Sequence, residues 1–191
     1  MKILLSVICL TAKKIKLLFQ VDQQQKGVLM RQPVQQLIQL YQNNLFTAAF
    51  NICQNQMDAE DAVQETFVQY YTSRKEFENE QHIRAWLLRV VINKAKNINR
   101  TFWKKNKCSL VDYMETLTFP DSQSRDLFEK VMKLPDKFRI LIHLFYYEDY
   151  SIKEIADILK ISESNVKVRL NRGRTVLRDT LKEAWDYEQS E

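Results

Sequence analysis

Turn-forming residues are scarce in this sequence, which has only two glycines and three prolines in 191 residues. Antiparallel sheets need such residues in their hairpin turns, so the shortage argues against a β-rich protein and favours helices. Cysteine is scarce too, and Cys9, Cys53 and Cys108 lie far apart. Their spacing excludes a zinc-ligand pattern and a disulfide framework, and it is typical of buried or free thiols in a reducing cytoplasm.

Residues suited to catalysis are equally few. His82 and His143 are the only histidines, and each is isolated, which is typical of a packed or surface histidine. There is no glycine-rich phosphate loop and no nucleophile elbow. Adjacent acids such as Glu60 and Asp61 diverge on a helix rather than converge on one substrate. We therefore expect a protein that is not an enzyme, with no cofactor and no catalytic or metal site.

The net charge of +5 comes mostly from residues 1–29, which contain five basic residues and one acid. The apolar run at residues 3–10 is too short to cross a bilayer, which needs about 20 apolar residues, so stable membrane insertion is not expected. A short amphipathic anchor is the alternative. Residues 26–30 can be encoded as AAA GGA GTG TTA ATG, a ribosome-binding sequence followed by a start codon. We expect the working protein to begin at Met30, with residues 1–29 a disordered leader or the product of a mis-set start.

Hydrophobic periodicity divides the rest of the chain into three blocks. Residues 30–100 contain three or four helical patterns, residues 101–124 lack sustained periodicity, and residues 125–187 are helical again. The middle block ends in proline, aspartate and serine, as linkers often do. The sequence therefore predicts an all-α protein made of two small helical domains joined by a flexible linker.

Two helices are predicted most clearly in the first block. One begins at Asp58, and its opposite faces are polar and apolar. Its inward residues recur at helical spacing: Ala59, Ala62, Val63, Thr66, Phe67 and Tyr70. The other is a long helix from about His82 to Arg100, preceded by a charged loop at residues 74–81.

The last block contains a helix-turn-helix pattern that begins at Ser151. Ser151 and Glu154 form a capping box, which satisfies backbone groups at the start of a helix. Residues 160–162 form a short turn, and Ser162 is placed to cap a second helix. The inward residues of the two helices are apolar: Ile152, Ile155, Ala156 and Leu159 in the first, and Val166, Leu170 and Leu177 in the second.

The outward face of the second helix is basic: Lys167, Arg169, Arg172, Arg174 and Arg178. Residues 164–178 contain no acid. A solvated surface helix usually mixes signs, whereas a stripe of one sign suits phosphates and base edges in a DNA major groove. We expect DNA binding whose affinity falls with salt at a log–log slope of roughly −3. A basic face that meets an acidic protein is the alternative. Gly173 interrupts this helix, which either a close approach to a neighbour or simple drift would explain.

Three segments together resemble a known family. Residues 58–67 are similar to region 2.2 of bacterial sigma factors, and residues 85–90 and 93–100 to regions 2.3 and 2.4. Leu134-Pro135, Arg139 and the helix-turn-helix at residues 154–174 resemble region 4. The order and separation of these motifs are those of the extracytoplasmic-function (ECF) group of the sigma-70 family.

The resemblance covers most of residues 41–181 and implies a specific division of labour. The polar face of the 58–67 helix would dock on the coiled coil of the largest catalytic subunit of RNA polymerase, where its acids suit a basic partner. We call these residues the acidic set: Asp58, Glu60, Asp61, Gln64 and Glu65.

Promoter contacts are implied for two further groups of residues. The long helix and the loop before it would bind and open the −10 element and trap an unstacked base in a pocket. We call these residues the −10 set: Phe77, Asn79, His82, Arg89, Asn93, Lys94, Lys96, Asn97 and Arg100. Trp86 lies among them, and core packing is favoured over base stacking for its ring.

The second helix of the helix-turn-helix would read the −35 element as duplex DNA. We call its residues the −35 set: Ser164, Asn165, Lys167, Val168, Arg169, Asn171, Arg172 and Arg174. Lys167, Asn171 and Arg172 are expected near base edges, together with Val168. Family members commonly have Gly-Thr at positions 164–165, Ser at 168 and Ala at 173, so the −35 preference cannot be copied from relatives.

The resemblance thus implies a cytoplasmic protein. Its partners would be core RNA polymerase, promoter DNA and, where one exists, an anti-sigma factor. A stand-alone helix-turn-helix regulator that binds DNA without polymerase is the alternative. That alternative would leave the acidic set without a role.

Overall fold

Seven helices make up the computed structural model, which describes residues 31–101 and 121–188. They are α1 (Val34–Cys53), α2 (Gln56–Thr72), α3 (Glu80–Thr101), α4 (Ser122–Lys133), α5 (Asp136–Tyr146), α6 (Ile152–Leu159) and α7 (Glu163–Glu188). No β-strand occurs within these ranges, so the all-α prediction is confirmed. The leader predicted at residues 1–29 and nearly all of the linker predicted at residues 101–124 lie outside the described residues.

Helices α1, α2 and α3 pack on one another to form the first helical group. All six residues predicted to point inward from α2 are buried. The start of α2 differs from the prediction, because Asn55 and not Asp58 begins it. The Asn55 side-chain oxygen accepts a hydrogen bond from the backbone N–H of Asp58 at 3.0 Å, which is the usual geometry of a helix N-cap.

Helices α4 to α7 form the second group, which begins earlier than its sequence pattern suggests. Asp121 caps α4 by accepting a hydrogen bond from the backbone N–H of Ser124 at 2.6 Å, so the helix starts within the stretch predicted as linker. Next comes α5, which begins directly after Pro135.

The helix-turn-helix consists of α6 and α7. The capping box is present, since the Ser151 N–H donates to the Glu154 carboxylate at 2.8 Å and the Glu154 N–H donates to the Ser151 hydroxyl at 3.3 Å. Lys160 ends α6 in the left-handed region, with φ 55°. Ser162 then caps α7 by accepting from the Asn165 N–H at 3.2 Å. Val166 and Leu170 are buried as predicted, and Leu177 is half-buried.

The two groups of helices lie against each other along α1 and α5 and along α3 and α6. Arg139 of α5 is only 3% exposed and joins them, because its Nε donates to the backbone carbonyl of Asn51 in α1. Its Nη1 donates to the carbonyls of Met132 and Leu134 at the end of α4, at 2.5 and 2.8 Å. Burial lowers the pKa of Arg139 to about 10, although Asp136 opposes the shift. The guanidinium therefore stays charged at neutral pH and satisfies carbonyls at two helix ends.

No helix among the described residues is long and apolar enough to cross a membrane.

Gly173 lies where α7 passes close to α5. A Cβ atom at this position would lie 3.2 Å from Phe138 Cβ and 3.3 Å from Ile142 Cδ1. Both distances are shorter than an ordinary van der Waals contact, so the absence of a side chain allows the two helices to approach. The close approach of Phe138 and Ile142 therefore supports the first of the two explanations for the glycine.

We expect Gly173→Ala to change the free energy of unfolding by less than about 1 kcal/mol, because the better helix propensity of Ala offsets the tight contact. Gly173→Leu should lower it by about 2 kcal/mol, since its larger side chain overpacks the space beside Phe138. Urea unfolding followed by far-ultraviolet circular dichroism measures both. Equal stability of the Leu variant and the parent would contradict this account of the helix contact.

Candidate functional site

The acidic set lies on the outer face of α2. Glu60, Asp61, Gln64 and Glu65 are exposed. Asp58 is half-buried, and its pKa is raised by burial and by the charge of Asp61. This face can therefore offer several carboxylates and one amide to a partner.

Three exposed apolar residues on the same helix were missed by sequence reasoning. They are Met57, Val68 and Tyr71, with 74%, 61% and 70% of their surfaces exposed. Together with Asp61 and Gln64 they recur every three or four residues, which puts them in one stripe along α2. That spacing is a signal in the sequence that could have found them. The face thus combines charge with apolar surface, as protein interfaces often do.

Most of the −10 set lies along one side of α3. His82, Arg89, Asn93, Lys96 and Arg100 follow one another at helical spacing. Asn93 and Arg100 are exposed, as is Asn97, whereas His82, Arg89 and Lys96 are half-buried.

Lys94 points to a different neighbour. Its ammonium lies 2.8 Å from a carboxylate oxygen of Glu65 in the acidic set. The faces assigned to polymerase and to the −10 element therefore meet at this ion pair.

Phe77 departs from its predicted role, because its side chain is 0% exposed. Its ring packs on Tyr70 and Trp86, with ring centroids 5.8 and 5.6 Å apart, and on His82 at 5.5 Å. Phe77 in this conformation thus supports the surface from below and cannot touch DNA. Trp86 is partly buried in the same cluster, in line with the core packing favoured for it. Asn79 uses its side-chain oxygen to cap α3, accepting from the His82 N–H at 2.8 Å.

Two basic members of the −10 set face the second group of helices. The Arg89 Nη2 donates to the backbone carbonyl of Asp157 in α6 at 2.7 Å. Lys96 lies between the groups, where burial lowers its pKa, the charge of Asp136 opposes that shift and the charge of Arg169 adds to it. Part of the surface predicted to bind DNA is therefore covered.

The −35 set lies on α7. Ser164, Lys167, Asn171 and Arg172 are exposed, Val168 is 49% exposed, and Asn165 and Arg169 are half-buried. Arg174 is exposed but already engaged, since its guanidinium carbon lies 5.3 and 5.5 Å from the ring centres of Phe145 and Tyr146. Cation–π contacts with the two rings restrain this arginine beside α5. The remaining side chains form an open, basic, polar face.

A buried carboxylate lies where the two groups of helices meet. Glu148 follows α5 and is 4% exposed. One carboxylate oxygen accepts from Asn44 Nδ2 of α1 at 3.0 Å, and the other accepts from Arg84 Nη2 of α3. His143 Nε2 lies 3.4 Å from the first oxygen. Sequence reasoning missed this cluster, because nothing local marks partners so distant along the chain.

The ionised state of Glu148 follows from these neighbours. Burial alone would raise its pKa, but the nearby imidazole of His143 and the guanidinium of Arg84 outweigh burial and hold the pKa at about 2. The guanidinium of Arg84 also lies 5.1 Å above the ring of Tyr150. The cluster is therefore an ion pair with fixed geometry that joins the two groups of helices.

Within the described residues, no three His, Cys, Asp or Glu side chains converge on a position that could hold a metal ion.

Comparison with known proteins identifies the family. The family model described as Sigma-70 region 2 matches residues 37–107, and that described as Sigma-70, region 4 matches residues 124–177. The ECF RNA polymerase sigma factor SigW of Bacillus subtilis is 30% identical over 166 residues, covering 77% of this chain and 88% of the relative. This chain belongs to the ECF group of the sigma-70 family. It is an RNA polymerase sigma factor, with core RNA polymerase and promoter DNA as its partners.

Other comparisons agree. RNA polymerase sigma factor SigV of Bacillus subtilis is 28% identical over 144 residues, covering 72% of this chain and 84% of the relative. The Bartonella quintana sigma factor RpoE, solved in complex with the anti-sigma factor NepR, matches in fold with a TM-score of 0.61 and 22% identity. The match covers 78% of this chain and 96% of that one. The stand-alone regulator is not favoured by these matches.

The buried carboxylate predicts how stability of this sigma factor depends on pH. Because the pKa of Glu148 is lower in the folded protein than the ordinary value of 4.5, its stabilisation is complete above about pH 4.5 and is lost as the pH falls towards 2. Glu148→Gln should therefore lower the free energy of unfolding by roughly 3 kcal/mol at pH 7.

Urea unfolding at pH 7, 5 and 3.5 measures this difference, which should be smaller at 3.5 than at 5. Glu76→Gln is the matched control, since Glu76 is exposed, and it should leave stability almost unchanged. A difference that stays constant down to pH 3.5 would show that Glu148 is not held as an ion.

Proposed function

We propose that the three helix faces divide the work of transcription initiation. The acidic set on α2 docks on core RNA polymerase, the exposed members of the −10 set on α3 open the promoter, and the −35 set on α7 reads duplex DNA. The observation that carries this assignment is that each set has exposed members on a different helix: Asp61 on α2, Asn93 on α3 and Lys167 on α7. Residues 30–100 and 125–187 would then act as region 2 and region 4.

Docking through α2 suits the chemistry of its outer face. Asp61, Glu65 and the other exposed acids attract a basic surface, and the amide of Gln64 adds directional hydrogen bonds. Beside them, Met57 and Val68 supply apolar area that is removed from water when a partner binds. Charge would thus guide the approach and apolar contact would add affinity.

Opening of the −10 element is assigned to α3. Asn93 and Asn97 are exposed amides that can bond to the edge of an unstacked base. Arg100 is an exposed cation nearby that can hold the DNA backbone. Unstacking costs a few kcal/mol per step, so the bound strand must regain that energy from such contacts.

Reading of the −35 element is assigned to the exposed part of α7. Lys167 and Arg172 carry donors suited to guanine, Asn171 carries an amide suited to adenine, and Val168 offers an apolar contact to a thymine methyl group. Arg174 is held on two aromatic rings, so it would meet a phosphate without having to be immobilised.

The proposed role in transcription initiation also bears on catalysis, on the location of the protein in the cell and on its regulation. Sigma factors are generally non-enzymatic, and we assign no reaction to this one. Because its target is the chromosome, it acts in the cytoplasm. An anti-sigma partner is also proposed, since one solved structure of similar fold is the sigma factor RpoE in complex with the anti-sigma factor NepR. Another is CnrH in complex with the cytosolic domain of CnrY.

The central experiment adds the purified chain to core RNA polymerase and maps transcription start sites across genomic DNA of its host. New start sites are expected, and none over core alone would reject the proposal. Glu60→Lys with Asp61→Lys should abolish these start sites and weaken core binding at least about tenfold, because α2 would then repel a basic partner. Fluorescence anisotropy of labelled chain measures that affinity.

The matched control is Glu76→Lys with Glu78→Lys, which makes the same charge change at two exposed positions outside the acidic set. It should bind core as the parent does. Equal loss in both variants would mean that overall charge, and not the α2 face, governs docking.

Specific reading of the −35 element predicts a second result. Lys167→Ala with Arg172→Ala should remove about 2–6 kcal/mol of discrimination, since each base contact of this kind is worth about 1–3 kcal/mol. Transcription from a mapped promoter with its own −35 sequence, divided by that with a scrambled −35 sequence, measures the loss. Core binding should be unchanged.

The control for lost positive charge is Arg74→Ala with Arg125→Ala, at two exposed positions outside α7. It should preserve the transcription ratio. If the α7 variant also kept the ratio, these side chains would not read the −35 element.

A further inference from the structure

The −10 set is not fully accessible in this structure, because the second group of helices lies against α3. Arg89 is bonded to the Asp157 carbonyl of α6, and Gln81 Nε2 donates to the Glu154 carboxylate of α6 at 2.7 Å. Lys96 is half-buried between the groups. In contrast, the −35 set remains largely exposed, so the covering affects one promoter surface more than the other.

This arrangement cannot persist on a promoter. Positions −10 and −35 are about 25 base pairs apart, which is roughly 85 Å of DNA at about 3.4 Å per base pair. Helices α3 and α6 touch each other here. One chain can therefore contact both elements only after its two groups of helices have separated.

We propose, on the basis of the function proposed above, that Glu148 is an autoinhibitory clasp which holds the free sigma factor closed and covers its −10 set. The clasp consists of Glu148 from the second group and Asn44 and Arg84 from the first.

The chemistry of the clasp makes it strong and reversible. Its carboxylate and guanidinium are satisfied while closed, and both become hydrated when the groups separate, so opening leaves no buried charge unpaired. Arg139 and the carbonyl of Asn51 add a second contact of the same kind.

Closure also brings two like charges together, since the charge of Arg169 lowers the pKa of Lys96. Both belong to sets assigned to DNA. Contacts that join the two groups elsewhere must therefore outweigh this repulsion, and Glu148 is the most buried acid that contributes one.

A cross-linking experiment measures closure directly. Gln81→Cys and Glu154→Cys are introduced into the full chain with Cys9, Cys53 and Cys108 changed to Ser, and a short reducible bismaleimide is added. In the closed form these two positions face each other, so the link should form at least fivefold faster than when Glu148→Gln or Arg84→Gln is also present. Glu76→Gln is the matched control and should not slow the reaction.

The linked chain then tests inhibition. The probe is a fluorescent single strand from the −10 region of a promoter mapped with the holoenzyme. Linked chain should bind it at least tenfold more weakly than the same molecules after the link is reduced, because only the reduced chain can open.

Each failure has its own signature. Equal linking rates in the parent and in correctly folded Glu148→Gln, judged by circular dichroism, would overturn the clasp. Equal strand binding before and after reduction would overturn the inhibition, even if a clasp variant misfolds. If no promoter can be mapped, the proposed function fails instead, and the linking rates still decide whether the clasp exists.

Discussion

A carboxylate with 4% of its surface exposed needs hydrogen-bond donors in order to remain ionised, and Glu148 obtains them from both groups of helices. His143 lies beside it in its own group, whereas Asn44 and Arg84 come from the other. The relative position of the two groups therefore depends on charge and hydrogen bonding as well as on the apolar core, which is continuous across both groups. Arg139, bonded to backbone carbonyls of both groups, follows the same rule. Polar contacts of this kind become hydrated when they separate.

Much of the local structure could be predicted from the sequence, because helical periodicity and capping act over a few residues. The inward side of α2 and the capping box at Ser151 are examples. The predicted start of α2 was wrong. Asn55 and Asp58 can both cap the N-terminus of a helix, and only the backbone geometry decides between them. The beginning of α4 was missed because its polar first turn resembles a linker. Gly173 needed the position of α5, which no local pattern contains.

The functional surfaces were predictable to different extents, because some depend on local helical spacing and others on tertiary contacts. Outward positions on α2 and α7 follow from helical spacing, so their exposure could be anticipated. Phe77 could not be placed, because an aromatic residue after a charged loop fits a pocket lining and a buried core equally well. The covering of Arg89 depends on a helix 68 residues further along the chain. Tertiary contact, which has no period in the sequence, decides such cases.

The ion pair between Lys94 and Glu65 couples the binding of polymerase to the binding of DNA. On the proposed assignments, one partner of this pair belongs to the surface for polymerase and the other to the surface for DNA. A protein that draws Glu65 away frees Lys94 for a phosphate, and thermodynamic reciprocity requires DNA to favour polymerase by the same factor. Because the pair is partly exposed, its worth is at most about 1 kcal/mol, or roughly a fivefold change in either affinity. Two ligands that never touch would thus cooperate through a single shared side-chain contact.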